Sequence, residues 1–280
     1  MKTVLITGAT RGVGKEIAKM FVNNNYNVVI TGRNKNESTK VADELNSIKL
    51  KKNVKGYKLD FTDLDGSSEL LNKLESKKIK PNFLINNAGT LNLNNIDKIT
   101  FKNLDVMFKV NLYGPLLLSK YCLDIVKHNN TDKLSGILFN IPPYNIDDKT
   151  TYLLPYMQSK LAQTTLMKSL ANLNNNNNAL ICGFWTNFPL LTDAIIKKNV
   201  GTKNNCMHPS ILAKCLEELI FNTYNPKQYN SKVIIDELFL KEKKININKY
   251  KMGNNVKNLD DLFITKLTKD IEKKKDLFNK

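Results

Sequence analysis

Thr3-Val4-Leu5-Ile6-Thr7-Gly8-Ala9-Thr10-Arg11-Gly12-Val13-Gly14 reads as a short apolar strand that runs straight into three glycines opening an amphipathic helix. That order, strand then glycine turn then helix, is what a phosphate-binding turn requires. Gly8 lets the chain turn sharply, Gly12 removes a side chain that would block a pyrophosphate, and Gly14 lets helix and strand pack closely. Unpaired amides of the first helical turn then face the anion.

Working outward, a second strand over residues 27–31 is followed by Gly32 and Arg33. Arg11, inside the glycine turn, and Arg33 are the only arginines among 43 basic residues; every other one is lysine. An NAD-specific site places an acidic residue near the end of the second strand to hold the ribose 2′-hydroxyl, and this chain has Gly32-Arg33 there. Guanidinium also suits phosphate and adenine stacking better than ammonium does. The expected cofactor is therefore NADP(H).

The alternation continues. A helix is expected near 37–48, a strand over 54–59 closed by Asp60, a helix near 64–76 and a strand over 83–86. Asp60 is placed to receive an adenine amino group, or simply to cap its strand end. Asn87-Ala88-Gly89 follow the fourth strand as a turn of small residues at the carboxyl edge of a parallel sheet, where such folds bind ligands. A helix over 108–125 carries Asn111, a fifth strand covers 136–141, and a helix starting around Leu154 carries Tyr156 and Lys160. Four residues apart, these two share one helix face, and an ammonium beside a phenol favours the phenolate.

At 280 residues and 41% hydrophobic content the chain can bury one large core. The expectation is an α/β fold, a Rossmann-type doubly wound parallel sheet in a single domain over 1–240, with a C-terminal extension over 241–280. In that extension an amphipathic helix is expected over 259–278, suited to packing on its own domain or a sister subunit. The net charge of +17 comes from lysines spread along the chain and interleaved with acids, without a basic-aromatic stripe, so no nucleic-acid partner is expected. No apolar run reaches the roughly eighteen residues of a membrane span. With the first strand starting at residue 3, no targeting segment is read, and the expected compartment is the cytoplasm. Cys122, Cys182, Cys206 and Cys215 show no disulfide spacing. Cys206, His208 and Cys215 want a fourth ligand when only His128 remains among the histidines, so no metal is expected.

Thr7 to Gly14, Asp60, Asn86-Asn87-Ala88-Gly89, Asn111 and Tyr156-Met157-Gln158-Ser159-Lys160 together resemble the short-chain dehydrogenases and reductases, in that family's order and near its spacing, over about residues 1–236. The resemblance implies a seven-stranded sheet and a catalytic group of Tyr156 as general acid, Lys160 binding the nicotinamide ribose and lowering the tyrosine pKa, and Asn111 holding a water of the proton relay. It puts the nucleotide on Gly8, Thr10, Arg11, Gly12, Val13, Gly14, Arg33, Asp60, Asn87, Ala88, Gly89, Tyr156, Lys160, Gly183 and Thr186. It also implies a small-molecule carbonyl or alcohol substrate and a homodimer or homotetramer.

One position departs. The family's serine, which donates to the substrate oxygen, belongs at Pro143, where the chain reads Asn140-Ile141-Pro142-Pro143. Proline has no donor, which leaves Tyr144, Thr150 and Thr151 as neighbours able to take the role. A narrower resemblance, over Phe139–Ile146, Asn178–Ala194 and Lys232–Ile264, is to the hydroxysteroid dehydrogenase-like protein 2 branch, which is linked to lipid metabolism in mitochondria or peroxisomes. After the sixth strand a turn is expected over 182–186, with Gly183 allowing close backbone approach and Thr186 reaching the nicotinamide carboxamide or a phosphate. The following loop, 187–204, carries Phe188, Leu190, Leu191, Ile195 and Ile196 as an apolar lid, or as packing for a helix on the sheet. A lid of that kind suits a lipophilic substrate. Two functions are carried forward: an NADP(H)-dependent oxidoreductase, and an NADP(H)-binding scaffold or redox sensor with little turnover.

Overall fold

Seven parallel strands form one sheet in the order β3-β2-β1-β4-β5-β6-β7. A computed structural model describes residues 2–48, 53–94, 96–128, 134–143, 154–174, 179–199 and 201–257. The strands are β1 Thr3–Ile6, β2 Asn27–Gly32, β3 Val54–Lys58, β4 Phe83–Asn86, β5 Ser135–Asn140, β6 Ala179–Trp185 and β7 Val233–Ile235. Between them run α1 Gly12–Asn23, α2 Lys35–Asn46, α3 Leu64–Ser76, α4 Phe101–Phe108, α5 Gly114–Lys127, α6 Leu154–Leu173, α7 Asp193–Lys197 and α8 Ser210–Phe221, with α9 Asp236–Glu242 after β7. The expected seven-stranded Rossmann-type sheet is the observed one.

Side-chain alternation in the strands divides the core in two. Val4 and Ile6 face a cluster with α1, α2, α8 and α9, through Ile17, Phe21, Leu45, Leu216 and Phe239. Leu5 faces the other way, onto α3 to α6, through Leu70, Leu74, Leu118, Met157 and Met167. Both faces being covered, the strands read as near-continuous apolar runs, as parallel strands must. Strand order reverses between β1 and β4, so the crevice lies where Thr7 and Asn87 leave the sheet.

Three expectations change in detail. The helix expected over 108–125 starts earlier, at Thr100, whose side chain caps α4, and it runs through a π-helical turn, Lys109–Tyr113, into α5. The turn expected over 182–186 is strand: β6 continues to Trp185. Gly183 serves sheet packing there, because a β-carbon would sit 2.8 Å from both Ile141 and Val233. Of the apolar loop after β6, Phe188 and Leu190 fold into the core, while Ile196 stays exposed. That loop is tied down by a bridge from Leu190 to Met207 and another from Met207 to Lys251. Ile245, Ile247, Tyr250 and Val256, in the expected extension, pack on the same core. The helix expected over 259–278 lies outside the described residues, as do Tyr144, Thr150 and Thr151. Among the described residues no helix is long and apolar enough to cross a membrane.

Candidate active site

The glycine turn is built by contact as much as by conformation. Gly8 and Gly12 adopt φ of +63° and +53°, the left-handed region that other residues avoid. A β-carbon on Gly14 would lie 2.5 Å from Asn87 Nδ2 and 2.6 Å from the Gly8 carbonyl oxygen, so only glycine lets α1 meet the β4 turn. α1 begins without a side-chain cap, whereas α2, α3 and α4 are capped by Asn34, Asp63 and Thr100. Its first amides are left for an incoming acceptor.

Thr7, at the end of β1, clamps the two turns. Its hydroxyl accepts from the backbone N–H of Asn87 at 3.0 Å and of Ala88 at 2.9 Å. Asn87 Nδ2 donates to the Thr7 carbonyl at 2.9 Å and to the Gly8 carbonyl at 3.2 Å. From there the chain of contacts crosses the sheet edge. Asn140 Nδ2 donates to Asn87 Oδ1 at 3.2 Å, and the Asn140 carbonyl accepts from Lys160 Nζ at 2.8 Å. The glycine turn and Lys160 are thus joined by neutral polar groups at the ends of β1, β4 and β5.

Lys160 is buried, and no carboxylate is among its hydrogen-bond partners; Gln163 Oε1 accepts from it at 3.3 Å, and the Trp185 ring lies 5.9 Å from its nitrogen. Burial lowers its pKa to about 7. Tyr156 is buried on the same helix, and burial pushes its phenol up. The direction is opposite to the expected lowering of the tyrosine by its lysine: burial raises the phenol, which keeps its proton at neutral pH. Asn111 is fully buried in the π-helical turn, a local widening common at functional sites. It donates to the Thr90 carbonyl and to Ser159 Oγ, both at 2.9 Å, and accepts from the Thr90 N–H at 2.9 Å. Ser159 in turn donates to the Tyr156 carbonyl at 2.7 Å. Gly89 closes the group, since a β-carbon on it would touch Lys160 Nζ at 3.4 Å and Asn111 Oδ1 at 3.5 Å.

The remaining expected residues divide. Thr10 packs over Gly32, 2.5 Å from where a β-carbon would stand, and Val13 packs on the core. Arg33 is exposed just past β2. Arg11 is half-exposed and paired with Asp193. Asp60 uses Oδ1 on its own turn, accepting from the Thr62 N–H at 3.0 Å and hydroxyl at 2.8 Å, which is the strand-end cap. Thr186 closes its own turn on Phe188 and lies beside the Asp236 carboxyl. Pro142 and Pro143 are buried at the end of β5. Thr7, Asn140 and Ser159 stood in the quoted stretches without a role, and Gln163 and Asp193 were not singled out; Thr7 and Asn140 carry a legible signal, both being polar residues just where an apolar strand stops. Among the described residues no cluster of His, Cys, Asp or Glu is arranged to hold a metal.

A family model described as short chain dehydrogenase matches residues 2–184. Hydroxysteroid dehydrogenase-like protein 2 of Bos taurus is 27% identical over 284 aligned residues, covering 99% of this chain and 66% of the relative. The Homo sapiens protein of that name is 27% identical over 250, covering 87% and 58%. The chain thus spans roughly half to two thirds of such relatives' length. A putative dehydrogenase from Xanthomonas campestris has a similar structure, with a TM-score of 0.78 at 21% identity, covering 94% of this chain and 97% of that one. An alcohol dehydrogenase from Thermococcus sibiricus complexed with 5-hydroxy-NADP gives a TM-score of 0.69 at 20% identity over 84% and 95%.

Proposed function

The chain belongs to the short-chain dehydrogenase family, and we propose that it is an NADP(H)-dependent oxidoreductase acting on a carbonyl/alcohol pair in a small, lipophilic molecule. The observation that carries this is the run of hydrogen bonds from Thr7 through Asn87 and Asn140 to Lys160, which ties the anion-binding turn to the helix that carries the buried Tyr156 and Lys160. The residues fit the cofactor: a glycine cradle that any side chain would fill, an uncapped α1 and a free-standing Arg33 at its mouth. Similar folds solved with NADP or a derivative support that choice.

When bound, nicotinamide supplies or accepts the hydride. Tyr156 gives its proton to the carbonyl oxygen in reduction and takes it back in oxidation. Its raised pKa suits the donor role, since the phenol stays protonated at neutral pH. Lys160 presents donors to the ribose hydroxyls from a position set by the Asn140 carbonyl, and Asn111, locked by Thr90 and Ser159, orders the relay. The oxygen-binding donor is the weak point: Pro143 has none, and loss of such a donor costs on the order of a hundred- to a thousandfold in rate. That single position supports the second reading, an NADP(H)-binding scaffold or redox sensor.

Exposed Phe101, Tyr113, Leu116 and Leu117, together on α4, the π turn and α5, support a homodimer or homotetramer through that face. The apolar lid support is narrower than the sequence implied, resting on Leu191, Ile195 and Ile196. A cytoplasmic protein of one domain over 1–240, with 241–280 as its C-terminal extension, completes the proposal.

The test is NADPH oxidation against a carbonyl panel that includes diketones and long-chain acyl carbonyls, beside nucleotide titration. Turnover with an apolar carbonyl supports the oxidoreductase. Tight NADPH binding with no turnover across the panel selects the scaffold, and no NADPH binding overturns both.

A further inference from the structure

Arg11 is already occupied. Its guanidinium lies 3.4 Å from Asp193 Oδ2, both side chains about half exposed. The residue before that aspartate, Thr192, packs its methyl over Gly12, 3.2 Å from where a β-carbon would stand. The loop after β6 thus lands on the glycine turn with two successive residues. The other ion pairs among the described residues lie within one helix or, for Lys15–Glu44, join α1 to α2; Arg11–Asp193 alone links the two ends of the crevice.

We propose that Asp193 is a specificity-determining residue of the nucleotide site: its carboxylate holds Arg11 until a ribose 2′-phosphate displaces it, and that exchange frees the loop from the glycine turn. The inference rests on the NADP(H) reading above. Carboxylate and phosphate compete for the same guanidinium fork, and a dianionic phosphate offers it more charge and more acceptors. An exposed pair is weak enough to be exchanged rather than to block the site, and its rupture costs the incoming ligand about three- to fivefold in affinity. A nucleotide without a 2′-phosphate leaves the pair in place and gains nothing from Arg11.

The probes are 2′,5′-ADP and 5′-AMP, titrated by calorimetry on the full chain. Asp193→Asn is expected to tighten 2′,5′-ADP by about three- to fivefold and leave 5′-AMP unchanged, and the gain is expected to vanish in an Arg11→Ala background. Both side chains being half-exposed, thermal unfolding of the variants serves as the folding control, with Asp193→Ala as a second variant of the same expected direction. If Asp193→Asn changes nothing while Arg11→Ala weakens 2′,5′-ADP, the exchange is overturned and the phosphate site stands. If the two probes tighten equally, Asp193 acts as bulk charge and the specificity role is overturned. If Arg11→Ala leaves 2′,5′-ADP unaffected, the phosphate assignment of Arg11 fails and takes Asp193 with it.

Discussion

The two ends of the crevice handle charge in opposite ways. Around the glycine turn the charged side chains lie at the rim, Arg11 and Arg33 exposed and Asp60 half-buried, and the interior is stitched by neutral groups of Thr7 and Asn87. At the ends of β5, β6 and β7 the charges go inside. Lys160 and Asp236 are both buried, and burial moves each toward neutrality: the lysine down to about 7, the aspartate up to about 6. A binding site for a preformed anion needs fixed donors and little else, whereas a site that moves protons gains from groups poised near the working pH. The difference predicts where substitutions change rate and where they change affinity.

Tyr156→Phe separates the ends most sharply. Removing the acid is expected to cost on the order of 10²- to 10⁴-fold in turnover, with NADPH affinity held within about twofold. Single-turnover reduction beside a binding titration reads both. A rate that survives the substitution would mean the phenol is not the acid and would erase the distinction drawn here.

Asp236 tests the buried end by stability. Its Oδ1 accepts from the N–H groups of Asn187 at 3.0 Å and Glu237 at 2.7 Å, which with the Thr186 hydroxyl lower its pKa, while burial above all, and the Glu237 carboxylate beside it, raise it. Lys241 is engaged by Glu237 at 2.7 Å. With a pKa moved from 3.8 to about 6, the folded chain keeps a proton that the unfolded chain releases. The contribution is fully present below pH 3.8 and lost as pH rises through 6, a swing of about 3 kcal/mol. Asp236→Asn removes the titration, so its stability relative to the parent chain is expected to rise between pH 4 and 7 in urea melts. Parallel curves would show that Asp236 titrates as an ordinary carboxylate.

How much of this was legible depended on whether a feature is contiguous. The sheet, the glycine turn and the Tyr156-Lys160 face were readable because strand period, glycine spacing and helical spacing are local. The expected turn at 182–186 misled because Gly183 looks like a turn residue, and only the side chains of Ile141 and Val233 on the neighbouring strands explain it. The direction of the Tyr156 shift was missed for a related reason: spacing puts a lysine on the same helix face, but does not show the depth of burial that raises the phenol. Asn140 and Asp193 act on partners brought to them by the fold, over separations such as Arg11 to Asp193, that no sequence window covers; Gln163, three residues from Lys160 on the same helix, lay within reach of helical spacing.

The exposed end has its own test. Arg33 makes no ion pair among the described residues, so its guanidinium is available to a 2′-phosphate at no internal cost. Arg33→Ala is expected to cut the preference for NADPH over NADH by about tenfold, the value of one charge-assisted contact of about 1.4 kcal/mol. Stability should not change. An unchanged preference would place the phosphate elsewhere and leave the rim without its assigned role.

The smallest effect is the one that joins the two ends. A Lys160 pKa near 7, against 10.5 for a free lysine, means that the folded chain gives up this proton more readily than the unfolded one. The cost of burying the ammonium is full below pH 7 and is relieved as pH climbs toward 10.5, so this group adds stability over that window. Nucleotide binding runs the other way. An anionic ligand whose ribose hydroxyls need ammonium donors draws the proton back, and its affinity should fall by about fourfold between pH 6 and 7.5 through Lys160 alone. The 2′-phosphate, with a second pKa of about 6, titrates in the opposite sense and partly masks this. Lys160→Met isolates it: the difference between the two pH profiles is the lysine's share, and calorimetry in buffers of different ionisation enthalpy should register proton uptake at pH 7.5 only when Lys160 is present. No uptake in the parent chain would mean that the Asn140 carbonyl and Gln163 already hold the lysine charged, and the buried end would then be as pH-insensitive as the exposed one.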